Sequence, residues 1–205
     1  MRQKKLKYVS PELLESQGVL MNIEPLELKS VPTFLEVGSG KGLFITSLAK
    51  DNPECVYIAM EINMNICYRI LEKKLALNLD NLIIILGDAE NLLSYLKPQS
   101  IDGLYLNFSD PWPKKKHHKR RLTAPTFMEK YVQILKDQAF IQFRTDQIDL
   151  FDSSIEYMHQ YIKMEKIDYH LEPSKYMTEY EIRKREIGPI YQLIGKVEHH
   201  AKENI

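Results

Sequence analysis

Cysteine is nearly absent: Cys55 and Cys67 are the only two in 205 residues. That count excludes a disulfide framework and a four-thiolate metal site. No apolar run approaches the ~18–20 residues that a membrane span needs. No apolar stretch follows the basic N-terminus in the manner of a secretory signal. The expectation is a reduced, cytoplasmic protein with no membrane segment. Glycine is scarce at eight residues, and tryptophan occurs once. No repeat and no low-complexity linker divides the chain, and 44% hydrophobic residues are enough to bury one full core.

Acid is missing from one place in particular. The chain carries 28 basic and 28 acidic residues, yet residues 114–121 hold six of the former and none of the latter. The six are Lys114, Lys115, Lys116, Lys119, Arg120 and Arg121. Arg2, Lys4, Lys5 and Lys7 form a second basic group at the N-terminus. The neutral total therefore hides a polarised molecule. Such a strip reads as a surface for the backbone phosphates of a polyanion, with salt-sensitive binding. His117 and His118 have no further ligand at coordinating spacing, so no metal site is expected.

Residues 1–32 are polar and irregular, with a helix expected over 11–17. They read as a basic N-terminal extension, followed by a single domain over 33–205. In that domain the apolar runs 33–37, 56–60, 82–86, 101–108 and 139–144 read as buried strands. Helical spacing over 43–50, 62–77, 89–96, 123–136 and 148–162 separates them, and 190–197 closes the chain as a last strand. Strands alternating with helices imply an α/β, doubly wound, mostly parallel sheet with right-handed crossovers and helices on both faces. Ligands in such sheets lie beyond the carboxyl ends of the strands. That rule singles out residues 36–42, Glu61, Asp88, Asp110 and Asp146.

Gly38-Ser39-Gly40-Lys41-Gly42 follows the first strand. Leu43 stands where the dinucleotide fingerprint needs its third glycine, so NAD is disfavoured, and the spacing before Lys41 is not that of a P-loop. Gly38 and Gly40 let the backbone approach a ligand closely. Glu36, Glu61 and Asp88 sit at three successive strand ends. A carboxylate at Glu61 suits ribose hydroxyls, and one at Asp88 suits an adenine amino group, although Asp88 also reads as a helix cap. Acids rather than bases beside the glycines suit S-adenosylmethionine, which is cationic and has no phosphate.

The run NFSDPWPKKKHHKRRL after the fourth strand joins Asp110 to the basic strip. Prolines 111 and 113 fix φ and remove backbone donors, so this is a shaped turn. A local turn before Pro111 would also place an aspartate here. Trp112, flanked by prolines, is expected in a pocket rather than on the core edge.

LEVGSGKG, NFSDPWPKKKHHKRRL, FRTD and MTEYE together resemble the bacterial tRNA (guanine-N7-)-methyltransferases, a likeness that covers roughly residues 33–195. The resemblance implies a seven-stranded class I methyltransferase sheet whose last strand is antiparallel. It implies S-adenosylmethionine as methyl donor, S-adenosylhomocysteine as product, and guanine 46 in the tRNA variable loop as target. By motif, Glu36, Glu61, Asp88 and Asp110 match cofactor positions, and Asp110 also matches the catalytic one. Lys114, Asp146, Thr178, Glu179, Tyr180 and Glu181 match substrate positions. Asp110, with Asp146 or Glu181, would accept from guanine N1–H and N2–H₂. A monomer and a homodimer both remain open. The competing readings are another class I methyltransferase and a non-catalytic RNA-binding module.

Overall fold

A computed structural model describes residues 6–199; Arg2, Lys4 and Lys5 lie outside them. Strands β1 (Thr33–Val37), β2 (Val56–Glu61), β3 (Leu82–Leu86), β4 (Ile101–Asn107) and β5 (Leu135–Thr145) pair in parallel. Two more strands, β6 (Lys163–Asp168) and β7 (Tyr191–Lys196), complete a seven-stranded sheet of order β3-β2-β1-β4-β5-β7-β6. β7 lies antiparallel to both of its neighbours. The strand order reverses direction between β1 and β4, so their carboxyl ends flank the crevice where such sheets bind ligands.

Alternate residues of each strand feed two cores, as the period of two requires. Leu35, Ile58, Leu104, Ile141 and Phe143 face α4 (Leu92–Tyr95), α5 (Pro125–Ile134) and α6 (Ile148–Met158). Phe34, Tyr57, Ala59, Ile84 and Tyr105 face α2 (Leu43–Asp51) and α3 (Met64–Leu77). Local chemistry sets the helix ends. Asn63 caps α3 by accepting from the Asn65 and Ile66 amides at 3.0 and 3.3 Å. Pro125 opens α5, where its missing N–H costs nothing. No described helix is long and apolar enough to cross a membrane.

Two expectations need correction, and the described part of the N-terminal extension packs against the domain. Helix α1 (Pro11–Ser16) brings Leu14 into one core together with Val9 and Val19, and Leu20 bridges to Ile85 of β3. Three buried apolar residues, Val9, Leu14 and Val19, anchor an otherwise largely exposed stretch. Strand β6 has no counterpart in the residue-level reading, because its residues are mostly exposed and a register shift between Met164 and Lys166 breaks the alternation. Helix α5 ends at Ile134, and β5 starts at once at Leu135, four residues earlier than the apolar run suggests.

Candidate active site

The carboxyl ends of β1 to β4 open into a cavity of about 570 Å³, within the usual range for a small-ligand site. Gly38, Gly40, Glu61, Asp88 and Asp110 all line it, with Met60, Ile66 and Phe127 as apolar wall. Trp112 and Arg120 also line it. The Arg120 guanidinium lies 5.1 Å from the Trp112 ring centre, and His117 lies 5.8 Å from that ring.

The glycine loop is folded back on itself. Gly38, Gly40 and Gly42 take φ of +74°, +56° and +82°, where a side chain is strained. The amides of Gly38 and Ser39 donate to the Met60 carbonyl at 2.9 and 3.1 Å, and that of Gly42 to the Ser39 carbonyl at 3.0 Å. The Gly40 amide donates to the Glu61 carboxylate at 3.0 Å. A phosphate cradle needs such N–H groups free and aimed at the ligand. Here they are spent inside the protein.

Four acids, Glu61, Asp88, Glu90 and Asp110, line the cavity against one base, Arg120. Burial raises the Glu61 carboxyl above its ordinary range; the backbone amides of Asn63, Gly40 and Ile62 oppose that rise, and the charge of Asp110 adds to it. Asp88 accepts from the Glu90 amide at 2.9 Å, capping the short 3₁₀ turn at Ala89–Asn91. Its cap reading and its place in the cavity therefore coexist. This excess of negative charge suits a cationic ligand.

Glu36 is not in the cavity wall. It is fully buried beneath the glycine loop, where Asn107 Nδ2 donates to its Oε1 at 2.8 Å. Glu36 Oε2 and Asn107 Oδ1 are buried with no hydrogen-bond partner among the described residues. Desolvation raises the Glu36 carboxyl to about 8, with Asn107 and Ser39 pulling it down. Asn107 carries no assignment from the sequence, although a polar residue ending an apolar strand was a usable signal.

The substrate-assigned residues separate into two groups. Asp146 and Tyr180 come together, with the phenol 3.3 Å from the carboxylate, and Lys184 pairs with Asp146 at 3.0 Å. Tyr180 packs on Phe108, ring centres 5.2 Å apart, and Phe108 lines the cavity, so this group borders the cavity. Thr178, Glu179 and Glu181 serve the backbone of helix α7 (Glu179–Lys184) and its surroundings. Thr178 caps the helix on the Glu181 amide at 2.9 Å. Glu179 accepts from the Leu43 amide at 3.3 Å and pairs with Lys73 at 3.0 Å, joining α7 to the start of α2. Glu181 is 0% exposed and held by Arg144 and Arg185. It cannot meet a guanine edge in this arrangement. Arg144, present in the FRTD motif but given no role by the sequence, is the buried cation it answers.

The basic strip also divides. Lys115, Lys116 and Lys119 project from an exposed 3₁₀ segment, Lys115–Arg120, and Lys114 precedes it, also exposed. Arg120 turns to Trp112. Arg121, expected from the sequence to contact phosphate, is buried and donates to the Pro111 carbonyl and to Ser153 Oγ.

A family described as "Putative methyltransferase" matches residues 30–193. A tRNA (guanine-N(7)-)-methyltransferase of Limosilactobacillus reuteri is 45% identical over 174 residues, covering 82% of each chain. One of Staphylococcus aureus is 44% identical over 194 residues, covering 91% of this chain and 90% of its own. Among solved structures, a SAM dependent methyltransferase from Aquifex aeolicus superposes with a TM-score of 0.58 at 14% identity, covering 92% of this chain and 90% of that one. The last likeness shows the fold. The identities over nearly the whole domain show more: the chain belongs to the tRNA (guanine-N(7)-)-methyltransferase family.

Proposed function

We propose that this protein methylates N7 of guanine 46 in the tRNA variable loop, in the cytoplasm, with S-adenosylmethionine as donor. The observation that carries the cofactor half is the pairing of a glycine loop whose amides are spent internally with a cavity wall of four acids and one base. Those features fit a cationic, phosphate-free adenosyl ligand and do not fit a dinucleotide. Glu61 would hold the ribose hydroxyls, Asp88 the adenine amino group, and Gly38 and Gly40 the close backbone approach. Glu36 Oε2 and Asn107 Oδ1 lie buried beneath the loop with no hydrogen-bond partner among the described residues.

S-adenosylmethionine supplies an electrophilic methyl carbon on a sulfonium and leaves as S-adenosylhomocysteine. Guanine N7 carries a free lone pair and no proton, so the protein need not supply a general base. Its work is alignment, which can account for most of the rate. Asp110 is exposed and lines the cavity, and its carboxylate would favour positive charge developing on the imidazole ring. Asp146, held by Tyr180 and Lys184, would be a second acceptor, with Asp110, for the guanine N1–H and N2–H₂ edge. An adenine, with an N6 amino group and no N1 proton, would not satisfy that pair. Lys114, Lys115, Lys116 and Lys119 would carry the tRNA backbone, which positions the substrate without reading its sequence.

The test is methyl transfer to unmodified tRNA bearing guanine or adenine at the variable-loop position, with the methylated atom mapped in the product. N7-methylguanine from the guanine substrate alone is expected. Asp110→Ala should abolish turnover while retaining most tRNA binding. Near-normal turnover by that variant would sink the assignment. A methyl group mapped to another atom would favour a different nucleobase methyltransferase.

A further inference from the structure

Arg121 is one of the six cations that the sequence assigns to phosphate, and it is the one withdrawn from solvent, at 3% exposure. Its Nε donates to the Pro111 carbonyl at 2.8 Å and its Nη1 to Ser153 Oγ at 2.7 Å. Ser153 is itself tied into α6, 2.7 Å from the Asp149 carbonyl and 3.1 Å from that of Leu150. One guanidinium therefore spans from the turn that carries Asp110 to the body of a core helix.

That turn needs holding. Phe108 and Trp112, on either side of Asp110, take φ of +53° and +41°, left-handed values that bulky residues rarely adopt. Strain of this kind persists only where the surroundings over-determine the backbone. The Phe108 end is fixed by its amide, which donates to the Arg144 carbonyl of β5 at 2.8 Å. At the other end Pro111 has no N–H, so its carbonyl is the backbone group left to tie, and Arg121 ties it. Both of Arg121's hydrogen-bond partners are uncharged. Burying a cation there costs desolvation that a neutral side chain would avoid, which argues for a demand of geometry rather than of bulk stability. A planar fork meets two acceptors at a set angle in a way that a lysine does not.

We infer that Arg121 is a positioning residue for methyl transfer: it sets where the Asp110 carboxylate stands and makes no contact with tRNA phosphate. The inference rests on the proposed role of Asp110 in the reaction. Trp112 is the only tryptophan of the chain, so its emission reports on this turn directly. Arg121→Met should lower kcat about 100-fold, the loss expected from misplacing a reacting group by an ångström. KM for tRNA and the salt dependence of tRNA binding should not change. Trp112 emission should shift, with steeper acrylamide quenching, and Arg121→Lys should restore part of both. If Arg121→Met does not fold, Ser153→Ala, which removes one end of the strut, should shift the emission in the same direction with a smaller loss of kcat. Unchanged kcat and unchanged emission in these variants would overturn the inference. So would a flatter salt slope with kcat retained, the signature of a phosphate contact. The fluorescence arm needs no tRNA. A wild-type protein that fails to methylate tRNA defeats the functional reading, while the emission still decides whether Arg121 sets the turn.

Discussion

Glu61 and Gly40 are joined by a hydrogen bond of 3.0 Å, from the loop amide to the carboxylate at the end of β2. The other carboxylate oxygen accepts from the Asn63 amide at 2.9 Å. One acid thus fixes the shape of the glycine loop, opens α3 and still faces the cavity. The Gly40 amide given to Glu61 is not available to a phosphate.

Glu61→Gln keeps an acceptor for Gly40 but loses the charge that a ribose hydroxyl pair would meet. A hydrogen bond to a charged group contributes about 1.5–3 kcal/mol. The Kd for S-adenosylmethionine, measured by calorimetry, should rise about tenfold to hundredfold. An unchanged Kd would remove Glu61 from the cofactor site.

The exposed lysines make a separable contribution. Replacing Lys115, Lys116 and Lys119 by glutamine should weaken tRNA binding and reduce the slope of log K against log salt by about 0.7–0.9 for each phosphate no longer neutralised. Turnover at saturating tRNA should be retained, since none of the three lines the cavity. Filter binding across a salt series checks this. A slope identical to wild type would take the strip out of the interface.

Burial raises the Glu36 carboxyl to about 8, against 4.5 for the free side chain. Between those values the native state holds a proton that the unfolded chain has released. Stability must then fall as pH rises through that window, and Glu36 contributes no such slope below it. Glu36→Gln removes the titration at this position. Thermal unfolding of the ligand-free protein from pH 5 to 8 should show the wild type losing ground to the variant. Parallel curves would mean that Glu36 is ionised throughout.

Much of this was legible in the sequence because parallel strands are written as plain apolar runs, and the acids at their ends fall into one crevice by topology alone. Glu61, Asp88 and Asp110 needed no contact information to be found together. Strand β6 was not legible, since an edge strand exposed along most of its length buries little and carries no alternation. The fate of each cation was not legible either. Lys119, Arg120 and Arg121 are adjacent and alike in sequence, yet one is solvated, one lies over Trp112, and one is buried on Pro111. Their directions depend on the turn of a short 3₁₀ segment.

Glu181 gives the sharpest contrast between motif and geometry. Its Oε1 accepts from Arg185 at 2.6 and 3.0 Å, and its Oε2 from Arg144 at 3.3 Å. Arg185 goes on to the Leu171 carbonyl at 2.6 Å, and Arg144 to the Tyr176 carbonyl at 3.0 Å and Gln192 at 2.8 Å. The acid is the hub that latches residues 171–185 onto β5 and β7. Removing one member of a buried charge network costs about 3–5 kcal/mol, because the remaining charges stay buried without compensation. At roughly 2–4 °C per kcal/mol for a domain of this size, Glu181→Gln should lower the melting temperature by about 10 °C. Urea unfolding should show the same loss. If Glu181 instead read the guanine edge, the variant would melt like the wild type and accept adenine in the tRNA assay. That outcome would return Glu181 to the substrate site and require the latch to open on tRNA binding.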